Sequence, residues 1–165
     1  MIREMKLNDS ERILEIYKMG LETKNATFET EVPSCSEWDL KHHKHSRFVY
    51  ADTKLILGWA ALTPVSSRKV YEGVAEISVY VDTNFHDKGI GSKLMHKVII
   101  SSELNGIWTL FSSIFPENMA TRKLHEKHGF RVIGIREKIA QLDEKWRDTM
   151  ILERRSKKVG IVSEK

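Results

Sequence analysis

A chain of 165 residues is the size of one domain, and at that length roughly 68–70% of the surface an unfolded chain exposes is buried, so no disulfide or metal staple is required. Its composition, 41% hydrophobic and 30% charged, is that of a globular protein, and no run of roughly eighteen apolar residues is present to cross a bilayer. The net charge of +4 raises nucleic acid as a partner, but Arg154, Arg155, Lys157, Lys158 and Lys165 against Glu164 supply all of it; a neutral body with a basic tail argues against a nucleic-acid footprint.

Met1 to Ser10 is polar and has no apolar stretch of the signal-peptide kind, and the lone Cys35 excludes an internal disulfide and suits a reducing cytoplasm. A first helix is predicted after Asn8-Asp9-Ser10, capped by Asp9 or Ser10, with Ile13, Ile16, Tyr17, Gly20 and Leu21 on one face. Ser34-x-x-Glu37 reads as a capping box opening a short helix through Trp38 and Leu40. His42-His43-x-His45 follows, and with Lys41 and Lys44 beside it and no ligand-spaced acid it reads as a solvated helix end rather than a metal site. Phe48–Ala51 and Leu55–Leu62 are predicted to form a hairpin about Asp52-Thr53-Lys54, and Val74–Val81 a longer strand. Trp59 and Trp108 read as core.

Asp82–Gly91 is then a polar, glycine-containing loop that opens a helix through Leu94, Met95, Val98 and Ile99. Glycines and a helix start in succession aim backbone N–H groups at one place, a setting for phosphate or pyrophosphate. The spacing is neither G-x-x-x-x-G-K-[ST] nor G-x-G-x-x-G, because no glycine stands at 86 and Leu94 occupies the third glycine's place. Ile107–Ile114 is predicted as a strand, Asn118–His128 as a helix closed by Gly129, and Phe130–Ile135 and Thr149–Leu152 as the last strands. The sum is a mixed α/β sheet with helices packed on it.

His86-x-x-Gly89-x-Gly91 after Val79-Tyr80-Val81, with Asn118-x-Ala120-x-x-x-Leu124-His125-x-x-x-Gly129-Phe130 downstream, resembles the GCN5-related N-acetyltransferases. That family's loop reads Gln or Arg, two residues, Gly, one residue, then Gly or Ala, so His86 departs from its first position. Thr27-Phe28-Glu29, Gly58-Trp59-Ala60, Arg68-x-x-Tyr71 and Glu76-x-Ser78-Val79-Tyr80-Val81 are similar to the phosphinothricin acetyltransferase group, which acylates free amino acids and their analogues. The likeness runs from about Ile2 to Arg155; between Ala140 and Asp148 only Trp146 and Asp148 fit, and the glycines usual there are missing.

The resemblance implies a single domain over residues 1–155, and the charge distribution leaves 156–165 as a basic tail expected to be mobile. It implies a mixed, mostly antiparallel sheet flanked by helices, with acetyl-CoA held at a splayed central strand pair, no metal, no membrane, a small-molecule amine as acceptor and a homodimer. By position, Glu76 is implied as a base acting through water and His125 as a proton donor or shuttle to the leaving thiolate. Val79, Tyr80, Val81, His86, Asp87, Lys88, Gly89, Ile90, Gly91, Ser92 and Asn118 are implied to bind cofactor, with Lys88 and Lys93 adding charge. Phe28, Glu29, Arg68, Lys69, Val70 and Tyr71 are implied to meet the acceptor, Arg68 taking its carboxylate. Acetylation of a protein N-terminus and non-catalytic acetyl-CoA sensing stand as alternatives.

Overall fold

The computed structural model describes residues 1–162; the tail residues 163–165 lie outside the described residues. Seven strands form one sheet: β1 (Ile2–Glu4), β2 (Phe48–Ala51), β3 (Ile56–Pro64), β4 (Val74–Val81), β5 (Thr109–Ile114), β6 (Arg131–Leu142) and β7 (Lys145–Arg155). Their spatial order is β1-β2-β3-β4-β5-β7-β6, antiparallel everywhere except between β4 and β5. Four helices cover it: α1 (Ser10–Glu22), α2 (Cys35–Lys41), α3 (Ile90–Leu104) and α4 (Met119–Lys127).

Side-chain alternation divides the core in two. Ala60, Leu62, Ala75 and Ile77 turn to one face, where Leu94, Met95, Val98 and Ile99 of α3 bury them. Trp59 and Ala61 turn to the other, under Ile13, Ile16, Tyr17 and Leu21 of α1 and Trp38 of α2. The helical face read from Ile13, Ile16, Tyr17 and Leu21 is buried as expected. So is the capping box, in which Ser34 Oγ accepts from the Glu37 amide and Glu37 accepts from that of Ser34.

Other expectations need correction. Neither Asp9 nor Ser10 caps α1 through its side chain. Asp9 is buried and accepts instead from both Arg3 guanidinium nitrogens (2.7 and 2.9 Å) and the Lys6 amide, while Ser10 Oγ donates to Leu7 O. That ion pair and the Lys6 bond hold the Asp9 carboxyl below its usual range. The fifth strand starts at Thr109, two residues late, because Trp108 and Thr109 both give their amides to Gly73 O. The last two strands are longer than predicted and form a hairpin closed by Asp143-Glu144, both at positive φ without a glycine. His42 is not solvated: it is 7% exposed and stacks on Trp38 at 4.0 Å between centroids. The first residues of the basic tail are bound to the body: Ser156 is buried with its hydroxyl on Glu103, and Arg155 donates to Val159 O and Gly160 O.

Candidate active site

The pairing of β4 with β5 covers only Val74–Glu76 against Thr109–Phe111. Beyond Glu76, β4 keeps its partner β3 as far as Val81, and β5 keeps β7 as far as Ile114, but the two carry no register with each other. Backbone groups on the facing edges are therefore left free to bond something else. A cleft of about 800 Å³ opens there, lined by Glu76–Val81, Ser112–Phe115, the 86–92 loop, the start of α4 and the segment following α1.

At the far end of β4 the chain turns through Asp82, whose carboxylate accepts from Arg12 and from the Asn84 amide and side chain. Burial pushes the Asp82 carboxyl upward, but those bonds outweigh it and leave the carboxyl low and ionised. The loop so anchored reaches Asp87 at φ 62° and Gly89 at φ 73°, then enters α3. A methyl group on Gly89 would meet nothing within 4 Å, so glycine answers a left-handed backbone there rather than a shortage of space. The first intrahelical bond runs from Lys93 N to Gly89 O, which leaves the amides of Ile90, Gly91 and Ser92 unbonded at the positive end of the helix.

Several cofactor candidates are otherwise occupied. His86 lies within hydrogen-bond distance of Val81 O through Nε2 (3.1 Å) and closes its own loop. Lys88 and Lys93 sit over the rings of Phe85 (4.7 Å) and Tyr50 (5.5 Å), and neither lines the cleft. Ser92 Oγ meets His128 Nε2 at 2.9 Å. Asn118 caps α4 by accepting from the Thr121 amide, and its Nδ2 donates to Asn25 O.

Glu76 is half-buried in the cleft wall. Burial pushes its carboxyl pKa up and Lys41 pulls the other way. His125 is 4% exposed, with its ring edge-on to Phe130 and Nδ1 at 2.7 Å from Thr121 O. A carbonyl oxygen only accepts, so Nδ1 carries the proton and Nε2 a lone pair. Burial lowers the His125 pKa and so favours that neutral ring. A donor's role at rest is thus closed to Nε2; it can accept a proton and pass it on.

The acceptor side of the cleft is aromatic. Tyr80 stacks on Trp59 at 5.0 Å and meets Tyr17 edge-on at 5.0 Å, and Trp38 stands edge-on to Trp59 at 5.3 Å. Phe28 packs edge-on against Phe115 at 4.9 Å, and Glu29 reaches the cleft wall. Burial, with help from Glu29, pushes the Tyr17 hydroxyl up to about 12 and keeps it protonated. Arg68, Lys69, Val70 and Tyr71 do not line the cleft; they are exposed, with the Arg68 guanidinium 5.3 Å from the Tyr71 ring. Among the described residues, Lys41 is the single Lys or Arg that does.

Two contributors escaped sequence reasoning. Arg147 lies 3.7 Å from the Phe115 ring centroid and donates to Lys24 O, Asn25 Oδ1 and Glu117, so the β6–β7 hairpin ties down the segment carrying Phe28. Nothing in its local sequence marks it. His42 lines the cleft with Trp38, and the four-residue spacing of that pair on one helix face was the available signal. Among the described residues no group of three or more His, Cys, Asp or Glu is placed to hold a metal, Cys35 is exposed, and no helix is long and apolar enough to cross a membrane.

The sequence profile of the GNAT acetyltransferase domain matches residues 2–151. YwnH of Bacillus subtilis (strain 168), named as a candidate phosphinothricin acetyltransferase, is 32% identical over 88% of this chain and 93% of its own. The phosphinothricin N-acetyltransferase of Streptomyces coelicolor is 26% identical over 76% of this chain and 78% of its own. Among solved structures, a GNAT phosphinothricin acetyltransferase from Sinorhizobium meliloti in complex with acetyl-CoA superposes with a TM-score of 0.90 at 22% identity, covering 100% of this chain and 92% of that one. With a matching domain profile, a relative matched over most of both lengths and the α/β fold in common, this chain belongs to the GNAT family of acetyl-CoA-dependent N-acetyltransferases.

Proposed function

We propose that the enzyme acetylates the amino group of a small amino acid or amino-acid analogue of the phosphinothricin or methionine sulfoximine kind. The observation that carries the reading is Glu76, a half-buried carboxylate facing a cleft bounded by an unpaired strand edge, a helix N-terminus and an aromatic wall. The names of the relatives support the acceptor class; one of them, from Pseudomonas aeruginosa, is an L-methionine sulfoximine/L-methionine sulfone acetyltransferase, 26% identical over 59% of this chain.

Bound acetyl-CoA supplies a thioester carbonyl for the amine to attack and a thiolate to leave. The residues present fit it: the free amides of Ile90, Gly91 and Ser92, in the turn from His86 through Asp87, Lys88 and Gly89, suit the pyrophosphate. The open edge at Val79, Tyr80 and Val81 suits the pantetheine amides and offers a backbone N–H to the carbonyl oxygen, and Asn118 stands beside them. Glu76 takes the ammonium proton through water; its raised pKa makes it a better base than an exposed carboxylate. His125 Nε2 accepts a proton released as the amine acylates and hands it to the departing sulfur. Phe28 and Glu29 flank the acceptor. Its carboxylate falls to Lys41, because Arg68, Lys69, Val70 and Tyr71 have no contact in the cleft.

Residues 1–155 are assigned to the catalytic domain and 156–165 to a tail outside the chemistry. Ile133, Ile135 and Ile139, all about half exposed on the edge strand β6, are assigned to a homodimer contact. A reducing cytoplasm supplies acetyl-CoA and suits a free thiol. The test is thiol release from acetyl-CoA with the twenty amino acids, phosphinothricin, methionine sulfoximine and a short peptide. Acceptor-dependent release with a free amino acid or analogue is expected. Release with the peptide alone moves the assignment to protein N-termini; thermal stabilisation by acetyl-CoA with no release from any amine moves it to a sensor.

A further inference from the structure

Among the polar groups of the aromatic wall, His42 has no part in the steps above. It is the residue that ends α2, and its Nδ1 lies 2.6 Å from Trp38 O, one helical turn back. As at His125, the carbonyl forces the proton onto Nδ1 and leaves Nε2 with a lone pair. The ring is fixed by a near-parallel stack on Trp38 (4.0 Å, 22°) and an edge contact with Trp59 (6.1 Å, 88°).

Nε2 has no hydrogen-bond partner among the described residues. It is also not among the sealed, unpartnered nitrogens, which are Trp38 Nε1, His43 Nε2 and Trp59 Nε1. The ring is 7% exposed and lines the cleft, and its free nitrogen is not sealed within the wall. The level is fixed by the backbone: His43 N donates to Leu62 O (2.8 Å), and Leu62 pairs with Ile77, the residue after Glu76. Trp59 and Tyr80 lie opposite each other on the sheet face from which Glu76 also projects.

We propose that His42 is a catalytic residue of the acceptor site, its Nε2 accepting a hydrogen bond from the acceptor's amino group and so turning the nitrogen's lone pair toward the thioester. This rests on the N-acetyltransferase reading and deepens it. A primary amine about to attack has two N–H bonds to satisfy; one goes to the Glu76 side and the other to Nε2. His42 and His125 become a pair of neutral imidazoles made by the same one-turn lock, one on each side of the parted strands. The charges around His42 are Lys41 and Asp39 on its own helix, Arg47, which donates to His42 O (2.7 Å), and Glu76 on β4. Burial, with Lys41 and Arg47 acting in the same direction and Asp39 opposing, lowers the ring's pKa to about 4, so it stays an acceptor at neutral pH.

Three variants separate the proposal from a packing role. His42→Gln keeps an acceptor at the ε position, His42→Asn keeps only a donor for Trp38 O, and His42→Phe keeps only the ring. For L-methionine sulfoximine, kcat/KM is expected to fall by about twofold to tenfold in the Asn and Phe variants, the worth of one hydrogen bond between neutral groups. The Gln variant is expected to recover most of it, with the KM for acetyl-CoA the same in all three. Equal losses in the Gln and Phe variants overturn the proposal. So does nitrogen-15 NMR of the histidine-labelled wild type, without turnover, if Nε2 rather than Nδ1 carries the proton at neutral pH. Wild-type inactivity toward every amine overturns the amino-acid reading, and His42's assignment with it; either of the first two results in an active enzyme overturns His42 alone.

Discussion

The wall that fixes His42 also makes the fold sensitive to acid. Unfolded, the ring titrates near its ordinary 6.5; folded, burial lowers it to about 4. Below pH 6.5 the unfolded chain takes up a proton that the folded chain refuses until pH 4. Stability is therefore whole above pH 6.5 and declines as pH falls through that window. The gap is worth about 3 kcal/mol at its limit, and about 2 kcal/mol of it is lost between pH 7.5 and pH 5. For a chain of this length that is about 4–8 °C in Tm. Urea unfolding of wild type and His42→Phe at the two pH values isolates the contribution, because His125, His128 and the carboxylates titrate alike in both and cancel in the double difference. Wild type should lose about 2 kcal/mol more than the variant on acidification. Equal losses would mean that the imidazole is hydrated in the folded state and that the argument from its burial is wrong.

Three further outcomes follow from the geometry. Glu76→Gln should lower kcat by about 10²–10⁴, the usual range for general-base loss, and abolish the rising acid limb of the rate profile while leaving acetyl-CoA affinity in place; an unchanged profile removes Glu76 from the chemistry. Arg147→Ala should raise the acceptor KM about five- to thirtyfold through loss of its stack on Phe115 and release of the Lys24–Asn25 segment, with acetyl-CoA KM as the internal control. Gly73→Ala places a methyl carbon 2.0 Å from Cε3 of the Trp108 ring and should destabilise by about 1–3 kcal/mol, whereas Gly89→Ala meets no atom within 4 Å and should cost about 1–2 kcal/mol through its backbone alone; denaturant midpoints distinguish the two.

The parts of the fold with short-range causes were legible in the sequence. Ser34 and Glu37 announce a helix start because two side chains and two amides three residues apart satisfy one another, and Gly129 ends α4 at φ 85° because that conformation suits glycine. β1 was missed, since three residues carry no pattern, and it exists through pairing with Phe48–Tyr50 across the chain. The β6–β7 hairpin was underestimated because its turn, Asp143-Glu144, holds positive φ without the glycine or asparagine that marks such turns. At the site, the loop and Glu76 were found by motif. What sequence does not reveal is that His86, Lys88, Lys93 and Arg68 each have a neighbour of their own, a carbonyl or an aromatic face. His42 was set aside with its solvated neighbours because a histidine-rich run reads as polar until Trp38 is seen stacked beneath it.

The parting of β4 from β5 divides the working parts between two half-sheets. Glu76, the 86–92 loop and His42 belong with β1–β4, whereas His125, Phe115 and the Arg147 clamp belong with β5–β7. Within the sheet, three residue pairs between Val74–Glu76 and Thr109–Phe111 join the halves, and the core beneath α3 spans both. Glu76 and Phe111 are the last pair before the strands part, and Arg147 and Asn118 join the halves again at Lys24 and Asn25. The carboxylate stands at the apex of the cleft, and His125 lines it from the other half. A substitution that repacks Leu110 or Leu152, both buried in the core beneath α3, would alter the span between the group that takes the first proton and the group that delivers the last.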